Sequence, residues 1–136
     1  MDGKILKVFD PLRKKYVALT PEEYVRQHFI AWMTDKFGYP ASLMRNEVSL
    51  KLNDTRRRCD TVVFRSDGSP SVVVEYKAPT VAITQGVFDQ VARYNMVLRS
   101  RYLIVSNGMR HFCCEMDYDN DSYAFLPEIP VWTPSL

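Results

Sequence analysis

Ser71-Val72-Val73-Val74-Glu75-Tyr76-Lys77, read together with Arg58-Cys59-Asp60 upstream, decides the fold. The run is β-branched and lies between Asp67-Gly68-Ser69-Pro70 and Pro79, which punctuate it as a strand. Side chains alternate along a strand, so Glu75 and Lys77 share a face with Val73, while Val72, Val74 and Tyr76 line the other. Val62-Val63-Phe64 precedes the Asp-Gly turn, so the two strands fold back as an antiparallel hairpin. The turn sets Asp60, at the start of the first strand, alongside Glu75 and Lys77 near the end of the second. Charges are rarely committed to a core without partners, so this grouping calls for a chemical explanation.

The hairpin sits in an alternation of helices and strands. Residues 84–99 read as a helix with Phe88, Val91, Ala92 and Leu98 as its buried stripe. On that helix Gln90 and Tyr94 stand at i and i+4 and share a face. Residues 102–105 form a short apolar strand, parallel to a neighbour through the preceding helix, and residues 110–116 a further strand. Upstream, residues 4–9 and 16–19 are two short strands around the turn Asp10-Pro11-Leu12-Arg13. Thr20-Pro21-Glu22-Glu23 opens a first helix, with a capping threonine, proline at the first helical position, and Glu23 completing a capping box. Tyr24, Val25, His28, Phe29, Trp32 and Met33 give its apolar stripe and Gly38 its end, before a half-buried strand over residues 47–52. The order αβββαβ, with flanking strands, is an α/β domain whose mixed sheet carries helices on its faces.

Asp60 and Glu75, converging from neighbouring strands, suit a hard divalent cation such as Mg²⁺, with Mn²⁺ as its substitute. Such an ion lowers the pKa of bound water, and Lys77 beside it can orient or deprotonate that water. The three residues together describe metal-assisted phosphodiester hydrolysis. Without metal, two like charges held this close raise the pKa of at least one of them, unless Lys77 lies between them. An E-x-K on a strand is otherwise read as a solvated edge, and Gln90 and Tyr94 as a buried amide and a core tyrosine.

The D…E-x-K pattern, followed by Gln90-Val-Ala-Arg-Tyr94, resembles the PD-(D/E)XK nuclease superfamily. More narrowly, it is similar to the N-terminal nuclease domain of type I restriction enzyme R subunits. The likeness extends to Leu19-Thr20-Pro21-Glu22-Glu23-Tyr24-Val25-Arg26-Gln27, Phe37-Gly38-Tyr39-Pro40 and Tyr102-Leu103-Ile104-Val105-Ser106-Asn107-Gly108, about residues 5–116. It departs in lacking a proline before the first carboxylate and in having no motor domains. The resemblance implies a three-layer restriction-endonuclease-like fold and a single nuclease-like domain over residues 1–136. Its core would span about 20–116, between an N-terminal hairpin over 4–19 and an acidic segment over 115–136. It implies a Mg²⁺-dependent DNA endonuclease with Asp60 and Glu75 as metal ligands, Lys77 activating water, and Gln90 and Tyr94 supporting the site. Glu23 becomes a further candidate ligand. DNA is the expected partner, with helicase motor, specificity or methyltransferase subunits beside it. The competing readings are a non-catalytic nucleic-acid-binding module with a nuclease fold and a purely structural interaction domain.

Composition agrees with a chain that buries a proper core: 136 residues, 46% hydrophobic and 25% charged. No apolar run is long enough for a membrane span, and Met1-Asp2-Gly3-Lys4 opens no signal peptide, so the expected location is the cytoplasm. Three cysteines without framework spacing are expected to be reduced and to pack in the core. All 18 lysines and arginines fall in residues 1–114 with 11 of the 16 acids, whereas residues 115–136 carry five acids and no base. A basic body suits a phosphate backbone, and Arg56-Arg57-Arg58 is the expected DNA-binding cluster, with Arg13-Lys14-Lys15 a second. Asp117, Asp119, Asp121 and Glu128 imitate a calcium loop, but Ser122 stands where its glycine belongs, so a polar loop packing back through Phe125-Leu126-Pro127 is expected.

Overall fold

The computed structural model describes residues 5–52 and 54–136. Lys4, assigned above to the first strand, and the rest of Met1-Asp2-Gly3-Lys4 lie outside them. A hairpin of β1 (Lys7–Asp10) and β2 (Lys15–Ala18) leads into helix α1 (Pro21–Phe37). Strands β3 (Met44–Leu52), β4 (Thr55–Phe64) and β5 (Pro70–Tyr76) follow as a meander. Helix α2 (Gln85–Asn95) then precedes β6 (Tyr102–Ser106), β7 (His111–Asp117) and β8 (Ser122–Leu126). The six strands from β3 to β8 pair in chain order as one mixed sheet. Only β5 and β6 run parallel, joined through α2, the kind of crossover that a parallel pair requires.

The valine run of β5 organises the packing as its alternation requires. Val72, Val74 and Tyr76 meet α1 residues Val25, Phe29 and Met33 in one core. Val73 points the other way, into a second core with Phe88, Val91 and Ala92 of α2. The hairpin turn closes with Arg65 N–H donating to Ser69 C=O at 2.8 Å, and Gly68 takes a φ of 89° that favours glycine. Cys113 and Cys114 are adjacent on β7 and so enter opposite cores, and all three cysteines are free and buried. Burial pushes their thiols up to about 12.

Several sequence expectations need correction. The face that α1 buries is Glu23, Val25, Arg26, Phe29, Ile30, Met33 and Phe37, while Tyr24 and His28 are exposed or half-exposed. Two charged residues on the buried face blur the apolar period, which is why the stripe read from sequence is rotated. The Thr20 hydroxyl accepts the Glu23 N–H at 3.1 Å as a cap should, but the Glu23 side chain turns to Arg13 and Gln27 instead of closing a capping box. Helix α2 ends at Asn95 and passes through a 3₁₀ turn to Arg99, which takes φ 54°. The tail expected as a loop contains an edge strand, β8, paired antiparallel to β7 with Cys114 opposite Phe125. Strand β4 begins at Thr55, so Asp60 lies mid-strand and Arg56, Arg57 and Arg58 are strand residues.

Gly108, at the turn after β6, takes φ 86°, and an added Cβ would meet Val25 Cγ2 at 3.3 Å. Gly68 has a similar φ but open space around it. Gly108→Ala is therefore expected to cost more in urea unfolding than Gly68→Ala, which should lose about 1–2 kcal/mol for the left-handed backbone alone. Equal losses would show that the contact between the turn and α1 is compliant.

Candidate active site

The β3–β4 ladder skips one pair. Asn46 faces Thr61 and Val48 faces Cys59, but Glu47 and Asp60 between them are unpaired, and Glu47 adopts φ 55°. In a regular strand Cys59, Thr61 and Val63 would share a face. Here Cys59 packs in the α2 core, whereas Val63 packs in the α1 core. Thr61 turns with Val63, since its hydroxyl accepts from Tyr76 OH at 3.0 Å. The ribbon changes faces at Glu47 and Asp60, and Asp60 sits on the crossing.

That position lets the Asp60 carboxylate turn along the sheet. The regular β4–β5 ladder runs up to Thr61 opposite Val74, and beyond it Asp60 Oδ2 accepts the Tyr76 N–H at 2.8 Å. The neighbouring β5 residue is Glu75, whose carboxyl lies against Asp60. Burial is the largest cause holding its pKa far above the carboxylate range, and the charge and hydrogen-bond contact of Asp60 add to it. Lys77, on the same face, and the Asn95 amide pull the other way. Glu75 Oε1 is buried without a hydrogen-bond partner. Lys77 is half-buried, and its backbone N–H donates to Ser106 C=O at 2.8 Å, continuing the parallel pairing past the end of β5.

Asp60, Glu75 and Lys77 thus lie together, and the two carboxylates are the pair able to hold a cation. Among the described residues no cluster of three or more His, Cys, Asp or Glu side chains forms. Glu23 is buried and committed elsewhere, accepting from Arg13 at 2.6 Å and from Gln27 at 2.8 Å. It nonetheless lines the same cleft as Asp60, Glu47 and Arg26. Gln90 is exposed. Tyr94 is 43% exposed on the flank of α2, with its hydroxyl 3.4 Å from the Arg58 N–H. The helix residue that reaches the carboxyl pair is Asn95, buried at i+4 from Val91, whose carbonyl accepts from Asn95 Nδ2 at 2.9 Å. A signal for it exists in the sequence: Asn95 continues the stripe Phe88, Val91, Ala92, and a polar residue on that stripe must find a polar partner.

The arginines of β4 divide by face. Arg57 packs over the Tyr94 ring, 4.5 Å from its centroid, and donates to the Tyr94 carbonyl at 2.7 Å. Arg58 pairs with Glu47 at 2.9 Å, and Arg56 is exposed opposite Lys51 on β3. The Arg26 and Arg58 guanidiniums hold the Glu47 carboxyl below its ordinary range, against the opposing effect of burial.

The relatives of this chain agree with the fold. The type I restriction enzyme R protein N terminus (HSDR_N) family model matches residues 21–130. The chain belongs to that family. A fragment structure of a putative HsdR subunit of a type I restriction enzyme from Vibrio vulnificus YJ016 superposes with a TM-score of 0.57 at 21% identity. The match covers 86% of this chain and 24% of that one, so this chain spans about a quarter of its relative. No curated protein matches. No described helix is long and apolar enough to cross a membrane.

Because the folded protein keeps a proton on Glu75 that the unfolded chain releases, stability contributed at low pH is lost as pH rises from the carboxylate range towards the raised value. Glu75→Gln should therefore leave the metal-free melting temperature nearly unchanged near pH 4 and raise stability at pH 8, by about 1–3 kcal/mol. A pH-independent difference between variant and wild type would mean that the carboxyl is not desolvated against Asp60.

Proposed function

We propose that the chain is a Mg²⁺-dependent deoxyribonuclease domain of the endonuclease type, with Mn²⁺ as a substitute, on a three-layer PD-(D/E)XK scaffold of αβββαβ order. The observation that carries this reading is the carboxylate pair. Asp60 and Glu75 are held against each other with one oxygen orphaned and with Lys77 alongside. Two half-buried carboxyls without a full counter-charge fit a hard divalent cation, whose oxygen preference matches them. Asp60 and Glu75 would hold it. When bound, the ion would activate water and neutralise charge on the phosphate.

The chain's own groups supply the rest. The Tyr76 N–H fixes one Asp60 oxygen, leaving the other for the site. Lys77 orients or deprotonates the attacking water and offsets negative charge. Asn95 steadies Glu75 by its amide. Tyr94 stacks under Arg57 and so braces the Arg56-Arg57-Arg58 strand, whose charges suit a phosphate backbone and carry no sequence preference. Gln90, from its exposed place on α2, is assigned to the nearby phosphate rather than to the carboxyls. Membership in the R-subunit family supports DNA as the substrate, with motor, specificity or methyltransferase subunits as companions in a restriction-modification system in the cytoplasm.

A second reading, a nucleic-acid-binding module that does not cut, draws on the engagement of Glu23 by Arg13, which leaves the site two carboxylates instead of three. Nicking of supercoiled plasmid separates the two. Wild type is expected to cut in millimolar Mg²⁺ and to gain melting temperature with the metal, a gain that Asp60→Ala abolishes. Lys77→Ala should keep the metal-dependent gain while cleavage drops by about 10²–10⁴-fold. Full-rate cleavage by Lys77→Ala would overturn its role, and DNA binding without cleavage by wild type would favour the module.

A further inference from the structure

The hairpin β1–β2 stands outside the main sheet yet is tied to its centre by buried polar groups. Asp10, fully buried, accepts from Asn46 Nδ2 at 3.0 Å, and its other carboxylate oxygen accepts the Leu12 N–H at 2.9 Å. Arg13 donates to Asp10 and, at 2.6 Å, to Glu23 on α1. Asn46 Oδ1 accepts from the Thr61 hydroxyl at 2.7 Å, and that hydroxyl accepts from Tyr76 OH. Thr61 and Tyr76 are the chain neighbours of Asp60 and Glu75. An unbroken chain of side-chain contacts thus runs from the hairpin turn to the residues flanking both carboxylates. These contacts compensate the burial of Asp10 and Arg13, and they fix the hairpin relative to the site.

The two faces of the hairpin differ. Val8, Val17 and Asp10 face inward. Phe9 lies opposite Tyr16 on the outer face, the rings 5.3 Å apart and edge to face, with Phe9 46% and Tyr16 69% exposed. Ile5 and Leu6 before them are exposed as well. Lys7 shares the outer face, Lys14 stands exposed at the turn, and Lys15, paired with Asp10, is exposed at the edge of the other face. An aromatic pair on a wet hairpin face is accounted for in part as a cross-strand pair. Exposed lysines on both faces and at the turn of the same ribbon, beside a nuclease-like cleft, are not. That cleft, about 480 Å³, is lined by Arg13, Val17, Thr20 and the exposed Glu22 together with Asp60 and Tyr76. Glu23 and Glu47 within it are neutralised by Arg13, Arg26 and Arg58.

We propose that β1–β2 is a DNA-holding arm: Lys7, Lys14 and Lys15 bind backbone phosphates, the Phe9–Tyr16 ring pair packs on the groove wall, and the cleft leads the held strand to Asp60. This rests on the nuclease reading above. A two-stranded ribbon has the width that a DNA groove admits, and clustered lysines match the charge of the backbone. The partner is committed to DNA because lysines flank the ribbon on both faces, as the two phosphate walls of a groove require, whereas a second copy of this chain seated on the aromatic face would bring Lys7 and Lys14 against like charges.

The test is fluorescence anisotropy of a labelled duplex with the whole chain, as a function of salt and without metal so that no cleavage intervenes. Lys7→Ala/Lys14→Ala/Lys15→Ala should weaken binding about tenfold and flatten the log–log salt slope by about 0.9 for each phosphate that the variant no longer neutralises. Tyr16→Ala should weaken binding with the slope unchanged, because a ring carries no charge. Melting temperatures show whether each variant is folded, and Lys36→Ala, which removes an exposed lysine in the last turn of α1 and leaves the arm intact, serves as the reference. If wild type binds and the triple-lysine variant binds equally with the same slope, the arm is overturned while the nuclease reading stands. Wild-type chain that does not bind the duplex at all overturns both. A dimer in sedimentation that Tyr16→Ala dissociates, with DNA binding unaltered, would reassign the face to self-association.

Discussion

The crossing of the β3–β4 ribbon at Glu47 and Asp60 is the constraint on which the site depends. A strand that kept strict alternation would send Asp60 into one core or out to solvent, and in neither place could it meet the carboxyl of Glu75. The crossing needs Glu47 in a left-handed conformation, which costs about 1–2 kcal/mol for a residue with a side chain. Charge offsets that cost: Glu47 is clasped by Arg26 on one side and Arg58 on the other. The ion pairs that hold the crossing therefore also serve the geometry of Asp60 on the partner strand.

The same economy runs through the buried polar groups. Arg26 is almost fully buried on α1, over the Tyr76 ring, with two of its nitrogens lacking a hydrogen-bond partner. Asp10, Asn46 and Thr61 are buried as well. A core of well-packed apolar side chains would be at least as stable as such a network. What the network specifies instead is position. It locks the hairpin, the first helix and the middle strands into one register around the carboxylates, and burial of Asp10 is tolerated because Arg13 and Asn46 hold its carboxyl below the ordinary range.

Much of this is legible in the sequence, for definite reasons. The valine run of β5 and the Asp-Gly turn specify the hairpin, and with it the meeting of Asp60, Glu75 and Lys77, because local alternation and turn chemistry act over few residues. Thr20 and Gly38 mark the ends of α1 by capping chemistry that needs no tertiary context. The buried face of α1 is hidden, since Glu23 and Arg26 are charged and become core residues only through partners distant in the chain. Asn95 is overshadowed by Gln90 and Tyr94, although the apolar stripe of α2 runs through it. The crossing at Asp60 has no sequence signal, as it arises from a backbone angle on the neighbouring strand. Strand β8 is masked by the acidic residues before it, an edge strand needing an apolar character on one side only.

The parallel pairing of β5 with β6 has a consequence for how the protein comes to exist. Asp60 and Glu75 belong to one hairpin, whose closure spans a short loop and forms quickly from local contacts. The strand that covers Glu75 from the other side, and the helix that dries its surroundings, join only by a long crossover. Topology therefore separates the two events. Closing the hairpin that brings the acidic pair together costs less chain entropy than docking α2 and β6, which takes the pair out of water. The electrostatic burden of the site falls on the docking of this last module. It is accordingly from the α2 side that the domain is expected to open locally, exposing the carboxyls before the meander beneath them comes apart.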